Sequence, residues 1–154
     1  MDAKMKIVPV EGAEALATVH TLLEEYWNSF GFTPCFQNFS AELAGLPGDY
    51  APPRGRLAIG WVDGRPAGCI ALRPVDERRA EAKRLYLRPE FRGQGRGRAL
   101  IDWLIAEARA AGYAELIGDS LPVMKDAIAL YDRIGFERTD PSGPEGIIYL
   151  RYKL

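Results

Sequence analysis

The sequence predicts a mixed α/β domain in which helices cover a sheet, and three observations carry that expectation. Short apolar runs flank an Asp63-Gly64 dipeptide, longer segments repeat apolar residues at helical spacing, and the two patterns follow one another along the chain. At 154 residues the chain has the length of one domain, taken as 1–154, and no internal repeat, low-complexity tract or linker divides it.

Residues 5–10 form a first strand that ends near Pro9. From Glu11 onward Leu16, Val19, Leu23, Tyr26, Trp27 and Phe30 recur at helical spacing, so a long amphipathic helix runs to a stop near Gly31. Residues 32–38 read as an aromatic loop, and 39–44 as a short helix with Ser40 at its N-cap. The stretch 45–55 holds Pro47, Pro52, Pro53 and three glycines and reads as a loop. Residues 57–62 and 67–72 flank Asp63-Gly64 as a hairpin. A strand follows over 82–87. Next comes a helix over 95–111 with Leu100, Trp103, Leu104, Ala108 and Ala111 on one stripe and Gly112 just past its end. A short strand at 113–117 leads to a last helix carrying Ala127, Leu130, Tyr131 and Ile134, closed by Gly135. Residues 146–152 form a final strand.

Composition removes several function classes. The chain is 47% hydrophobic and 27% charged, as ordinary globular proteins are. No apolar run approaches the roughly 18 residues of a membrane span, and no signal-like apolar stretch follows Met1. Cys35, Cys69 and the single His20 share no metal-ligand spacing, so neither a metal nor a disulfide framework is expected, and a reducing cytoplasm is the simpler location. A net charge of −1 argues against a general nucleic-acid binder. The charge is uneven, however: residues 78–98 carry +6 and the remainder −7. This pattern fits an anion bound locally, or else a solvated charged strand and loop.

Within that basic segment, Leu85-Tyr-Leu-Arg-Pro-Glu-Phe-Arg-Gly-Gln-Gly-Arg-Gly-Arg-Ala-Leu100 runs from a strand through a glycine-rich turn into an amphipathic helix. Such a turn lets main chain approach a ligand closely, and the helix start offers unpaired N–H groups and a partial positive charge, a combination suited to a pyrophosphate. Arg92, Arg96 and Arg98 add charge nearby. Other phosphate loops fit worse. The third glycine of a dinucleotide fingerprint would fall on Arg98, and no Gly-Lys-Ser/Thr is present. An Arg/Gly RNA contact lacks aromatic platforms. The plainer reading is a helix start with convenient glycines.

Arg92-Gly-Gln-Gly95-Arg-Gly97 resembles the (Arg or Gln)-x-x-Gly-x-(Gly or Ala) motif of the GNAT N-acetyltransferase superfamily. Lys83-Arg-Leu-Tyr-Leu-Arg-Pro89 before it looks like the family's fourth strand. Ala129-Leu-Tyr131 with Gly135-Phe136 resembles its second landmark. These landmarks span about 81–136; the first 80 residues add a compatible element order and no motif.

The resemblance implies a mostly antiparallel sheet flanked by helices with splayed central strands, and an acyltransferase that uses acetyl-CoA as co-substrate without a metal. It implies that main-chain amides of Gly93, Gln94, Gly95, Arg96, Gly97 and Arg98, with Arg92, hold the coenzyme's pyrophosphate. Leu85, Tyr86 and Leu87 would pair with its pantetheine arm as a further strand would. Many members carry an asparagine seven residues before the tyrosine; here Met124 stands there, and that hydrogen bond must be absent or replaced. Relatives are often dimers, so a homodimer enters as an expectation, with neither nucleic acid nor membrane as partner.

Acetyl transfer to an amine requires a proton acceptor, an oxyanion donor and help for the leaving thiolate. An alkylammonium of pKa ~10.4 is neutral in only about one molecule in several thousand at pH 7, so a base is useful. Glu81, eleven positions before Arg92, stands where protein-acetylating relatives place a catalytic glutamate; alternatively it is a surface carboxylate paired with Arg79 or Lys83. Glu24 and Glu25 are weaker candidates for attracting an amine. The oxyanion donor would be a main-chain N–H near Leu85, where imperfect alternation along 81–88 fits a bulge. Tyr131 lies on its helix's apolar stripe, which suits a core residue, and the family match makes it the acid for the departing thiolate. Because tyrosine is the weaker acid by roughly 1.5 units, or about 2 kcal/mol, it would stabilise the sulfur by a hydrogen bond. His20 reads as a core-edge residue, and a cysteine nucleophile is disfavoured.

The leading expectation is direct attack by a small metabolite amine in a ternary complex, with Trp27, Phe30, Phe32, Phe36 and Tyr50 lining the acceptor site or serving as core. A protein or peptide N-acetyltransferase and a non-catalytic acyl-CoA sensor are the alternatives.

Overall fold

Ten residues of β-strand, β3 (Arg65–Pro74), run through the middle of the molecule with their interior faces covered on both sides. The computed structural model describes residues 4–29, 39–120, 124–139 and 147–154. Among them the other strands are β1 (Lys6–Pro9), β2 (Arg56–Val62), β4 (Arg79–Leu87), β5 (Glu115–Ser120), β6 (Glu137–Arg138) and β7 (Ile148–Lys153). They join β3 in a seven-stranded sheet ordered β1-β2-β3-β4-β5-β7-β6. Helices α1 (Gly12–Asn28), α2 (Phe39–Ala44), α3 (Arg96–Ala110) and α4 (Lys125–Ile134) flank it. The mixed, mostly antiparallel architecture expected from sequence is present.

Alternation along β3 divides the core. Ile70 and Leu72 join Leu100, Leu104 and Ile105 of α3, while Cys69 and Ala71 join Val19, Leu22 and Leu23 of α1. Each of the larger of these side chains contributes roughly 1.5–3 kcal/mol on burial, so helices are required on both faces. The β2–β3 hairpin turns at Asp63 (φ 51°) and Gly64 (φ 75°), the paired left-handed positions that match strand twist. Val62 pairs with Arg65 across it.

Two irregularities around β4 open the sheet. The first lies between β3 and β4, where Cys69 pairs with Tyr86 but Ala71 pairs with Lys83. One extra β4 residue is therefore accommodated, and Arg84, at φ 62°, is the residue out of line. This is the bulge that broken alternation forecast near Leu85. The second lies between β4 and β5, which pair in parallel only through Arg79–Glu115, Ala80–Leu116 and Glu81–Ile117. Beyond that point β5 continues against β7 as far as Ser120–Ile148, while β4 runs on to Leu87 paired with β3 on one side and with no strand on the β5 side. The central strands are splayed.

Several boundaries differ from the sequence expectation. β4 begins at Arg79 rather than 82, and β5 at Glu115 rather than 113. The early start of β4 follows from its ladders with Pro74 and Glu115, long-range pairings that apolar periodicity does not register. Ser40 lies inside α2, whose first residue is the buried Phe39, so it is not the N-cap. The short β6, held by Glu137–Arg151 and Arg138–Leu150, carried no apolar signal. The helix stops do agree: α3 ends at Ala110 before Gly112, α4 at Ile134 before Gly135. Gly31 and Gly146, expected element ends, lie outside the described residues.

Candidate active site

The splay leaves a cleft of about 890 Å³. Its walls are Leu85, Tyr86 and Leu87 of β4, the loop and first turn of α3, residues 124–127 with Leu130 and Arg133 at α4, and Tyr26 with Ser29 at the end of α1. Gly97 permits the close approach of its walls, since a Cβ there would stand 3.1 Å from Leu130 Cδ2 and 3.6 Å from Leu87 Cδ1.

The loop that enters α3 is braced by its own arginines. Arg92 Nε donates to Leu87 O at 2.8 Å, and Arg96, buried, donates to Phe91 O at 3.2 Å with its guanidinium 5.7 Å from the Phe91 ring centroid. Gly93 (φ 84°) and Gly95 (φ 77°) take the left-handed conformations that turn the chain into the helix, and a Cβ on either would meet nothing within 4 Å. Gly95 caps α3 without a side-chain hydrogen bond, and the first amide bonded back is Ala99 N to Gly95 O at 3.1 Å. The amides of Arg96, Gly97 and Arg98 therefore precede the helical ladder, at its electropositive end. A diphosphate fits this cradle: open space over two glycines, the helix-start amides at the electropositive end of α3, and a basic rim of Arg92 and Arg98. Of the residues singled out for coenzyme contact, Leu85, Tyr86, Leu87, Arg92, Gly93, Gly95, Arg96, Gly97 and Arg98 line the cleft. Gln94 is not among them, and the Arg96 guanidinium serves the loop.

Tyr131 sits in α4 behind this cleft, 6% exposed, its ring edge-on to Phe136 at 4.9 Å between centroids. Burial, then the charges of Tyr26 and Asp119, push its phenol well above the usual tyrosine range. Tyr131 thus keeps its proton at neutral pH and can donate it as a hydrogen bond. Ser120 Oγ lies 3.7 Å from Met124 Sδ, so Met124 takes a weak hydrogen bond from β5 and contributes an apolar wall where an asparagine would offer an amide.

Glu81 is 8% exposed and does not line the cleft. It accepts from Arg73 Nε at 2.7 Å, its direct β3 partner, and lies 3.8 Å from Lys83 Nζ. Arg79, the other partner considered for it, instead bonds Asp76. His20, half-buried as a core-edge residue would be, bonds Glu24 at 2.8 Å and does not line the cleft. Glu25 receives Arg88 on both oxygens, at 2.9 and 2.7 Å, and the Tyr86 hydroxyl at 3.3 Å. Trp27 stacks on Phe39 at 4.3 Å, and Tyr50 is buried core. Cys69 is buried, its thiol pushed up to about 12 by desolvation, which makes it no nucleophile. Phe30, Phe32, Cys35 and Phe36 lie outside the described residues.

Two features went unnoticed in the sequence. Arg84, the bulge residue, is 5% exposed and clamps Glu42 of α2 through Nε–Oε2 at 2.8 Å and Nη2–Oε1 at 2.7 Å. Asp119 is half-buried on β5, and its charge is among the causes that raise the phenols of Tyr26 and Tyr131. An aspartate within a short strand is against propensity, and that was its available signal. The pairing of residues 42 apart had none.

Comparison with known proteins gives a consistent answer. Residues 16–136 match the model of the acetyltransferase (GNAT) family. The chain is 31% identical to an uncharacterized N-acetyltransferase of Schizosaccharomyces pombe, over 99% of this chain and 96% of that one. It shares its fold with an acetyltransferase of Streptococcus agalactiae, at TM-score 0.81 and 20% identity, over 97% of this chain and 98% of that one. An N-acetyltransferase of Thermoplasma acidophilum, solved in complex with coenzyme A, superposes at TM-score 0.77 and 17% identity, over 98% and 99% of the two chains. With cleft, glycine loop, splay and sequence in agreement, this chain belongs to the GNAT family of acetyltransferases.

Proposed function

We propose that the protein transfers the acetyl group of acetyl-CoA to the primary amine of a small metabolite by direct attack in a ternary complex. The observation that carries this reading is the cleft itself, which joins the phosphate-sized cradle at α3 to the free edge of β4 and is walled by the first turns of α4, the helix that carries Tyr131. The amides of residues 93–98 hold the diphosphate, with Arg92 and Arg98 on the rim. Leu85, Tyr86 and Leu87 offer an unpaired strand edge to the amides of the pantetheine arm, beyond the last β4–β5 pair at Glu81–Ile117. The bulge at Arg84 sets the local main chain so that an N–H near Leu85 meets the developing oxyanion. Tyr131 donates a hydrogen bond to the departing sulfur.

The size of the acceptor follows from how α1 and α2 are tied over β4. The Glu25–Arg88 and Glu42–Arg84 pairs hold both helices on the acceptor face, which favours a small molecule over an extended chain. No helix among the described residues is long and apolar enough to cross a membrane, and we place the reaction in the cytoplasm. For the ammonium proton, Glu81 is the candidate that its sequence position suggests; turnover by Glu81→Gln within about threefold of wild type would remove it from the proton path.

Coenzyme A release measured across alkylamines, amino acids and peptides tests the reading. Turnover on small amines supports it, and turnover confined to peptides replaces it with protein acetylation. Coenzyme binding without turnover on any acceptor would make the chain a sensor.

A further inference from the structure

The cleft does not stay on one face of the sheet. Leu87 and Leu130, which line it beside the start of α3, pack against the core under that helix. Tyr26, Tyr86 and Met124 also line it, and they pack in the core under α1. The cleft therefore crosses the sheet through the gap beside β4 past Glu81–Ile117. Its character changes on the way. The α3 end carries glycines with Arg92 and Arg98, while the α1 end is made of two phenol rings and a thioether. A coenzyme whose diphosphate fills the α3 end extends toward the α1 end, so its acyl group comes to rest against Tyr26.

Tyr26 is held there from several sides. It is 8% exposed, and its ring stands edge-on to Tyr86 at 6.0 Å between centroids. Arg84 donates a hydrogen bond to its hydroxyl, with the guanidinium 5.9 Å from the ring centroid. Neither neighbour is loose: Glu42 clamps Arg84 on both oxygens, and the Tyr86 hydroxyl donates to Glu25 at 3.3 Å. Met124, unbranched and polarizable, is the adaptable wall of this end, and Tyr26 is the rigid one. Resting on the acetyl-transfer reading above, we propose that Tyr26 is the specificity-determining residue for the acyl group: its ring closes the α1 end of the cleft behind the acetyl methyl and excludes butyryl and longer chains. Further methylenes have to displace a ring that is packed and bonded in place, and overfilling such a site weakens binding by about tenfold or more.

The test measures calorimetric Kd values for coenzyme A, acetyl-CoA and butyryl-CoA in wild type, Tyr26→Phe and Tyr26→Leu, with kcat/KM for both thioesters on one alkylamine. Wild type should bind butyryl-CoA about tenfold or more weakly than acetyl-CoA, and use it less well by a similar factor. Tyr26→Phe keeps the ring and should keep both ratios within about threefold of wild type. Tyr26→Leu should bring the two thioesters within about threefold of each other, while its Kd for coenzyme A, which has no acyl group, stays within about threefold of wild type. If the leucine variant folds poorly, as its coenzyme A affinity would reveal, Tyr26→Met gives the same comparison. Equal affinity of wild type for the two thioesters overturns the assignment. So does an unchanged ratio in a leucine or methionine variant that still binds coenzyme A, because a merely structural role would weaken all three coenzymes alike. The binding arm stands apart from catalysis. A wild type that binds acetyl-CoA but acetylates no amine sinks the acetyl-transfer reading, and the affinity ratios still decide the role of Tyr26; one that binds no coenzyme takes both down together.

Discussion

The two sides of β4 are built on different physical terms. Toward α3 and α4, the proposed coenzyme surface comes from main chain: a strand edge past the last β4–β5 pair, two left-handed glycines and the first turn of a helix, all contributed by one contiguous segment. Toward α1 and α2, the wall is held by side-chain clamps between distant residues, Arg84 with Glu42 and Arg88 with Glu25, separated by 42 and 63 positions. Main-chain recognition depends on local backbone geometry, so it writes itself into short spacing. Side-chain clamps depend on tertiary proximity and leave no local mark. The coenzyme half is therefore expected to tolerate changes around it and fail at a few backbone positions, while the acceptor half fails at its ion pairs.

Removing a clamp should have the largest effect. In Glu42→Ala the Arg84 guanidinium, its side chain 3% exposed, loses its bidentate partner while the bulge holds its backbone in a left-handed conformation. Breaking a buried pair on one side costs about 3–5 kcal/mol. For a chain of this length the melting midpoint should fall on the order of 10 °C by scanning calorimetry. A loss below about 1 kcal/mol would show that the cation-rich side is held by its aromatic neighbours, Tyr26 and Phe39, rather than by the clamp.

The matching change on the other side is Gly95→Val. Here no packing is violated, since a Cβ meets nothing within 4 Å, but a β-branched residue at φ 77° is strained by roughly 1–2 kcal/mol and the new side chain enters the cradle. Stability should fall by about that amount and acetyl-CoA affinity by about tenfold or more, measured by calorimetry. An unchanged dissociation constant would separate the loop from the diphosphate and break the contrast between the halves.

The same contrast explains what was legible beforehand. Asp63-Gly64, Gly95 and Gly135 are local signals, and the hairpin, the α3 start and the α4 stop all fell where those residues stand. The bulge was legible only as broken alternation; that Arg84 occupies it and reaches α2 was not. Glu81 was singled out by the family resemblance, from its position eleven residues before Arg92, and that position does not reveal that Arg73 lies opposite it.

Tyr131→Phe probes the point where the halves meet. The ring and its edge contact with Phe136 remain, so stability should change little. Loss of the proposed hydrogen bond to the departing sulfur should lower kcat by about tenfold, or about 1.4 kcal/mol, with the acetyl-CoA dissociation constant unaltered. A fall in affinity equal to the fall in kcat would instead make the phenol part of the coenzyme's binding surface.

The smallest effect belongs to the more exposed clamp and shows itself through pH. Hydrogen bonding by Arg88 holds the Glu25 carboxyl below the usual carboxylate range, against the opposing pull of partial burial. Because the folded value is depressed, the pair's contribution is fully present above the unfolded value near ~4.3 and is lost as pH falls through the folded one. Both side chains are about a quarter to a third exposed, at 25% and 35%, so water and salt screen them and the contribution stays under about 1 kcal/mol. Urea titrations below pH 5 should therefore show wild type losing slightly more stability on acidification than Glu25→Gln, whose amide does not titrate. The gap between the two should close as pH falls and narrow in high salt. Parallel pH profiles for the two proteins would mean that Arg88 is held by the Pro66 carbonyl, 3.2 Å from its Nη1, rather than by α1, and the acceptor wall would then rest on the Glu42–Arg84 clamp.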